Sequence, residues 1–445
     1  MCWLPCGIGS RFDRSWITEK TDPGGRVVGN RAQSGGTSAP LVASTAEIRA
    51  HFPALERRCG DHPVAYFDGP GGTQVPRSVP EAVADYLFHH NANRHWGFPT
   101  SDETDEAVGR ARAVFGTFLN ADPQEVVFGA NMTTLTFHAS RALGRRFGVG
   151  DEIVVTELDH HANIEPWTAL EVDRGVRVRW ARMVAESGTL DWDHLTSLIG
   201  ERTKLVAIGA AANAIGTVSD VRRVADLAHK AGAMVFVDGV HYAPHFLPDV
   251  AALGCDFFAC SPYKFYGPHL GVLYGKSDLL NELDFPRLEP AGQHAPDRAE
   301  TGTLNYEGIV GAAAGVEWLG SLGKGGTLRD RLAATYAGLH KRGEELFDLL
   351  WSGLSKIDGV TLFGPPPYQL RTPTAGFVVA GTPSSEVARR LVQWGCFAPA
   401  GDFYARTMVK RLGQHPNGLI RAGCACYTSE EEVTRLVDGV RAIAE

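Results

Sequence analysis

The stretch that decides the fold is "TKLVAIGAAANAIGTVSDVRRVADLAHKAGAMVFVDGVH", residues 203–241. It opens on an apolar run, "KLVAIG" (204–209), with no polar alternation, as expected of a strand buried on both faces. "DVRRVADLAHKAG" (220–232) follows, with apolar residues at helical spacing, Asp220 in the N-cap position and Gly232 where a C-cap glycine belongs. "MVFVDG" (234–239) is a second apolar strand. A buried strand, a crossover helix and a second buried strand predict a parallel sheet covered by helices.

The same plan recurs on both sides. "DPQEVVFGANMTTLTFHASRALGRRF" (122–147) reads as a short strand, a turn and a helix, and "DEIVVTELDHHANIEPWTAL" (151–170) as a strand over 152–157, a polar loop and a helix. "FFACSPYKFYGPHLGVLYG" (257–275) reads as two apolar strands with one lysine, Lys264, between them. The predicted fold class is α/β, a mostly parallel sheet covered by helices, with a smaller C-terminal α+β domain. The division is 46–330 for the large domain and 331–445 for the small one, with 46–75 expected to serve the small domain or dimer contacts. Residues 1–45, which include the Gly/Ser/Pro-rich "TDPGGRVVGNRAQSGGTSAP", are expected to be a disordered tail outside the fold.

Bulk properties narrow the classes of function. The chain has 445 residues, 44% hydrophobic and 21% charged, with a formal net charge of −8. That balance, without a long Lys/Arg run, argues against nucleic acid or a membrane surface as partner. No apolar run approaches the ~20 residues of a membrane span, and the N-terminus has no secretory pattern, so a cytoplasmic location is expected. Eight cysteines, none in a CxxC pair, suggest neither a disulfide scaffold nor a zinc site, and no metal is expected.

In a doubly wound sheet, ligands bind beyond the carboxyl ends of the strands. Four polar stretches fall there, "NMTT" (131–134), "DHHAN" (159–163), "DGVH" (238–241) and "SPYK" (261–264), so Asp238, His160 and Lys264 are expected to converge. One chemistry uses a buried lysine amine, an aspartate and a stacking aromatic together, that of pyridoxal 5'-phosphate. Its phosphate requires helix N-terminal N–H groups and a few hydroxyls, which "NMTT" and Ser261 would supply.

These motifs, with "FDGPGGTQVP" (67–76), "HNANRHWG" (90–97), "AANAIGTVSDV" (211–221), "ETGTLN" (300–305) and "LIRAG" (419–423), resemble the fold-type I pyridoxal-phosphate enzymes of the class V aminotransferase group, most closely the cysteine desulfurases and their selenocysteine lyase relatives. The resemblance runs from about residue 50 to the C-terminus. It implies Lys264 as the Schiff-base lysine and acid/base, Asp238 on the pyridine nitrogen and His160, rather than His161, stacked on the ring. His241 takes the place of a family glutamine on the phenolic oxygen. Thr133, Met132, Ser261 and Tyr263 would surround the phosphate, and Asn213 would contact cofactor or substrate. Arg421 would clamp the substrate carboxylate. Thr303 would reach the other subunit's phosphate, which implies a homodimer with shared sites acting on a small amino acid.

The resemblance breaks in "WGCFAPAGDFYARTMVKRLG" (394–413), where a desulfurase carries its sulfur-accepting cysteine. Aligned on Gly401, Tyr404 stands there, beside the expected substrate, and a phenol cannot form a persulfide. Cys396 is the nearest thiol, at the end of a helix or the start of a strand. The expectation is a β-eliminating C–S lyase. An aminotransferase or epimerase, a desulfurase passing sulfur directly to a small thiol, and a catalytically silent binding protein are the alternatives.

Overall fold

The computed structural model describes residues 42–445. Its central sheet has seven strands in the spatial order Val126–Gly129, Gly271–Gly275, Phe257–Cys260, Met234–Asp238, Thr203–Gly209, Glu152–Thr156 and Arg177–Ala181. Adjacent strands from Phe257–Cys260 to Arg177–Ala181 are parallel. Gly271–Gly275 is antiparallel to both its neighbours. The cause lies in the connection. Only ten residues separate Cys260 from Gly271, too few for a helical crossover, so the chain turns back and the lysine-bearing loop stays at the sheet edge.

Successive residues of each strand point to opposite faces. Val154, Val206, Ile208, Val235, Val237 and Phe258 enter one buried cluster, while Ile153, Val155, Leu205, Ala207, Phe236 and Phe257 enter another. Both faces are apolar, which is why these strands read as continuous hydrophobic runs rather than alternating ones. The crossover helix Val221–Lys230 is capped by Asp220, whose carboxylate accepts from Arg223 N, and Gly232 follows it with φ +78°.

A second sheet of four strands, in the order Val360–Phe363, Thr374–Val379, Leu419–Gly423 and Ala400–Gly401, is wholly antiparallel. It packs on the helices Leu328–Leu354, Ser384–Leu391 and Glu430–Ala444 through a third apolar cluster that includes Leu350, Phe377, Ile420 and Leu436. The long helix begins at Leu328, capped reciprocally by Thr327 and Asp330, three residues before the expected start of the small domain. Residues 65–68 join this second layer. Ala65–Tyr66 pairs with Cys396–Phe397, Gly423 N donates to Phe67 O, and Ala65 and Phe67 enter the small core.

The expected tail is shorter than predicted at its C-terminal end. Val42 is buried, bridges Gly323, and is followed by Ser44 as the cap of helix Thr45–Arg49. The rest of the predicted tail, residues 1–41, lies outside the described residues. Among the described residues no helix is long and apolar enough to cross a membrane.

Candidate active site

Five strand ends of the central sheet deliver side chains to one cavity open to solvent. Its walls include Met132, Thr133, His160, Asn213, Asp238, His241, Ser261, Tyr263 and Lys264, all predicted to meet. Asn131 and Asp159 complete this edge. The convergence follows from topology, because each residue comes just after the carboxyl end of a parallel strand or from the loop before the reversed one.

Lys264 is 8% exposed and ends a short 3₁₀ turn, Pro262–Lys264. Its Nζ donates to Pro70 O and lies 5.0 Å from the Tyr263 ring centroid. Burial, reinforced by Arg421, lowers its ammonium to about 7, against the pull of Asp238 and Asp68. A free amine is therefore present at neutral pH. Asp238 ends its strand, accepts from Val240 N at 2.9 Å, and is raised by burial to about 6.

The two adjacent histidines separate. His161 leaves the cavity for Glu165 and Thr407. His160 faces the cavity, its Nδ1 accepting from Ala162 N at 3.0 Å, and burial lowers it to about 4, so it is a neutral, flat ring. Beneath it, Asp159 receives Thr156 Oγ1 at 2.7 Å, Gly209 N at 2.9 Å and Asn163 Nδ2 at 2.8 Å. These bonds tie the histidine loop to the neighbouring strand. Burial raises Asp159 to about 7.

The helix Met132–Gly144 points its N-terminus at the cavity. Asn131 Oδ1 accepts from Thr134 N, and Thr134 Oγ1 returns a bond to Asn131 O. Thr134 is thereby consumed in the cap, while the N–H groups of Met132 and Thr133 have no intrahelical partner. Such a helix end favours an anion. His138, on the outer part of this helix, packs against Phe285 with ring centroids 5.2 Å apart and does not line the cavity.

The second sheet approaches this edge through Arg421, which, like Tyr404, is not among the residues lining the cavity. Arg421, 4% exposed, donates to Asn213 O at 3.1 Å and lies 4.1 Å from the Phe403 ring centroid. Burial lowers it to about 10, so it stays a cation. Gly71 permits this approach, since a Cβ there would stand 3.0 Å from Arg421 Nη2. Tyr404 is 73% exposed, in left-handed backbone at φ +56°, with its ring 5.4 Å from that of His160. Its carbonyl accepts from His161 N, and the preceding Phe403 carbonyl accepts from Asn213 Nδ2 at 2.9 Å. The loop expected to depart from the family is thus fastened directly to the site. Thr303 is exposed and does not line this chain's cavity.

Sequence reasoning passed over Asp68, the Pro70 carbonyl, Asp159, Thr372, Thr374 and Phe403. "FDGPGG" carried a signal for the first two, because a glycine pair beside an aspartate marks close backbone approach. Thr372 and Thr374 meet His241 only through tertiary folding, across more than 130 residues.

Four buried polar atoms around the site have no partner among the described residues: Asp68 Oδ1, Asn213 Oδ1, His241 Nδ1 and Arg421 Nε. Buried polar atoms are normally bonded. Together with a neutral lysine amine, a carboxylate at the sheet edge, a flat imidazole and an unfilled helix N-terminus, they fit one prosthetic group, an aldehyde-bearing pyridine with a phosphate arm. This is the site of a pyridoxal-phosphate-dependent enzyme.

Comparison with known proteins agrees. The family model described as Aminotransferase class-V matches residues 65–436. A cysteine desulfurase of Dickeya dadantii is 32% identical over 414 residues, covering 89% of this chain and 96% of that protein. Among solved structures, the cysteine desulfurase CsdA of Escherichia coli superposes with a TM-score of 0.79 at 29% identity, covering 90% of this chain and 98% of its own. An apo cysteine desulfurase of Thermococcus onnurineus gives 0.81 at 26% identity, with the same coverage. The chain belongs to the aminotransferase class-V family and is a cysteine desulfurase-like enzyme of fold-type I, with pyridoxal 5'-phosphate as its cofactor.

Proposed function

We propose that this enzyme cleaves the Cβ–S bond of cysteine or an S-substituted cysteine by β-elimination, releasing a thiol rather than loading sulfur onto the protein. The observation that carries this reading is the loop at Tyr404. No thiol stands there, and the nearest in the sequence, Cys396, is fully buried in strand Cys396–Phe397 with burial pushing it up to about 11. A persulfide requires an accessible thiolate, and Cys396 is neither accessible nor ionised at neutral pH.

Pyridoxal phosphate, when bound, would supply an aldehyde for the substrate amine and an electron-withdrawing ring. This chain's residues do the rest. Lys264 would meet the aldehyde, Asp238 the ring nitrogen and His160 the ring face. Met132 and Thr133 N–H groups, with Ser261 and Tyr263, would hold the phosphate. Arg421 receives the substrate carboxylate, its guanidinium fixed by Phe403 and Asn213 O. Lys264, whose amine burial holds down to about 7, would remove the α-proton. The electron pair forms the Cα=Cβ bond as the Cβ–S bond breaks, and the thiolate leaves with a proton. Hydrolysis of the enamine then consumes one water and gives pyruvate and ammonia, so each substrate and water yield one thiol, one pyruvate and one ammonium.

The test is a product assay with cysteine and S-alkyl cysteines. Equal pyruvate and thiol support the lyase. Alanine with sulfane sulfur delivered to an added small thiol supports the second reading, a direct desulfurase, which the relatives' names favour. Keto-acid-dependent amine exchange alone, or racemisation alone, would replace both with an aminotransferase or epimerase. Absence of any turnover by cofactor-loaded protein would leave the silent binding protein.

The homodimer belongs to the same proposal. Phe88, 80% exposed, and Leu87 border an apolar groove with Gly71–Gln74 and Tyr263, next to the site. A second copy packed there would cover them and bring the exposed Thr303 loop toward the partner's phosphate. Light scattering should report a dimer, and a charged substitution, Phe88→Glu, should weaken it.

A further inference from the structure

His241 has a second relation to the fold besides facing the cofactor. It lies three residues beyond the end of strand Met234–Asp238 and is 2% exposed. Its Nε2 stands 2.9 Å from Thr372 Oγ1 and 3.2 Å from Thr374 Oγ1, two buried hydroxyls at the start of strand Thr374–Val379 in the other sheet. Its Nδ1 is buried without a partner among the described residues, on a ring that lines the cavity.

The protons on these groups can be counted. A neutral imidazole carries one N–H, each hydroxyl carries one O–H, and a buried donor left without an acceptor costs about 1–3 kcal/mol. Thr372 Oγ1 has a second acceptor, Gly216 O at 3.5 Å. Thr374 Oγ1 has only His241 Nε2 among the described residues. With the imidazole proton on Nε2, the Thr374 hydroxyl proton is stranded. With Nε2 bare, Thr374 donates to it, while Thr372 donates to it as well or turns to Gly216 O. The imidazole proton then sits on Nδ1, directed into the cavity. A doubly protonated ring is disfavoured by burial and by the groups that face it, His245 at 5.3 Å between ring centroids, Arg421, Lys264 and Arg371.

We propose that Thr374, assisted by Thr372, is a positioning residue that fixes His241 in its Nδ1–H tautomer, so that the imidazole donates a hydrogen bond to the phenolic oxygen of bound pyridoxal phosphate. Strand Thr374–Val379 also pairs with the strand that carries Arg421, Thr374 opposite Gly423 and Gly376 opposite Arg421. The residue that sets the donor on the cofactor and the residue proposed to hold the substrate carboxylate therefore ride on one sheet. Seating a substrate on Arg421 thereby also seats the sheet that orients His241.

The proposal rests on His241 facing the cofactor, so its first test omits the cofactor. In cofactor-free protein with nitrogen-labelled histidine, NMR should show His241 protonated at Nδ1 and bare at Nε2. Thr374→Val should mix or reverse that pattern, and Thr374→Ser should restore it. In the cofactor-loaded protein, Thr374→Val should move the pH at which the visible absorbance titrates upward by about one unit, because a ring oxygen without its full donor holds the neighbouring proton more tightly. A wild-type His241 protonated at Nε2 would overturn the proposal, as would a folded Thr374→Val protein with unchanged nitrogen shifts and titration. Should Thr374→Val not fold, the wild-type pattern and Thr374→Ser decide the matter alone. A wild-type Nδ1–H pattern with no effect of Thr374→Val on the loaded titration would keep the tautomer and sink its link to the cofactor.

Discussion

The site draws on two edges, built by different sheets that hold their side chains in different ways. On the cofactor edge, Lys264, Asp238 and His160 emerge from parallel strand ends held rigidly in a doubly covered sheet. On the substrate edge, Arg421 comes from a short antiparallel sheet, and Phe403 and Tyr404 from a loop with consecutive left-handed residues, at φ +53° and +56°. The first edge has little room to change, because each side chain is fixed where a buried strand ends. The second is anchored by a few backbone bonds, His161 N to Tyr404 O and Asn213 Nδ2 to Phe403 O. Such a loop can exchange a sulfur-accepting cysteine for a tyrosine and leave the cofactor chemistry in place.

The largest expected effect lies on the cofactor edge. Lys264→Ala should lower kcat roughly 10³-fold or more, and borohydride should no longer fix the cofactor covalently to the chain. Peptide mapping of the reduced wild type checks the second half. On the substrate edge, Arg421→Ala should act on substrate capture instead. Losing a charge-assisted, two-pronged contact should raise KM by roughly 30- to 100-fold, with a smaller fall in kcat. An Arg421→Ala enzyme with unchanged KM would break the division of labour between the edges.

Next in size is a stability effect of the buried amine in cofactor-free protein. Burial holds the Lys264 ammonium down to about 7 in the fold, against the ordinary lysine value of 10.5. The unfolded chain therefore binds the extra proton across that window, and stability should decline as pH falls from 10.5 to about 7 and level off below. Lys264→Met removes this dependence, so denaturant midpoints of the two proteins should diverge progressively through the window. Parallel curves would mean that the amine is not held neutral.

The smallest effects belong to the loop. Tyr404→Phe and Cys396→Ser should each change kcat/KM by less than about 3-fold in a thiol-release assay, because neither side chain carries a covalent step. A collapse of turnover in Cys396→Ser, with the fold intact by circular dichroism, would restore a persulfide route.

How much was legible in the sequence follows the same division. The strands at 204–209 and 234–239, the Asp220 cap and the Gly232 terminus are local patterns, and they were read within one residue or so. Lys264, Asp238 and His160 were legible because topology alone carries strand ends to one edge. The reversal of Gly271–Gly275 was not read as such, since an apolar run carries no direction, although the ten-residue loop before it carried a clue. The Thr372–Thr374 contact with His241 and the Phe403–Arg421 contact were hidden for a different reason. Each joins segments from separate sheets, and no periodicity within either segment reports the other. The entry of Val42 into the fold was masked by the composition of the preceding residues.

The most direct test follows the sulfur itself. Cofactor-loaded enzyme is given sulfur-labelled cysteine, quenched in acid within a few turnovers, and freed of small molecules. The label retained per subunit is then counted beside the pyruvate formed. The account predicts no retained label, with sulfide and pyruvate in equal amounts. One sulfur per subunit with matching alanine would contradict it.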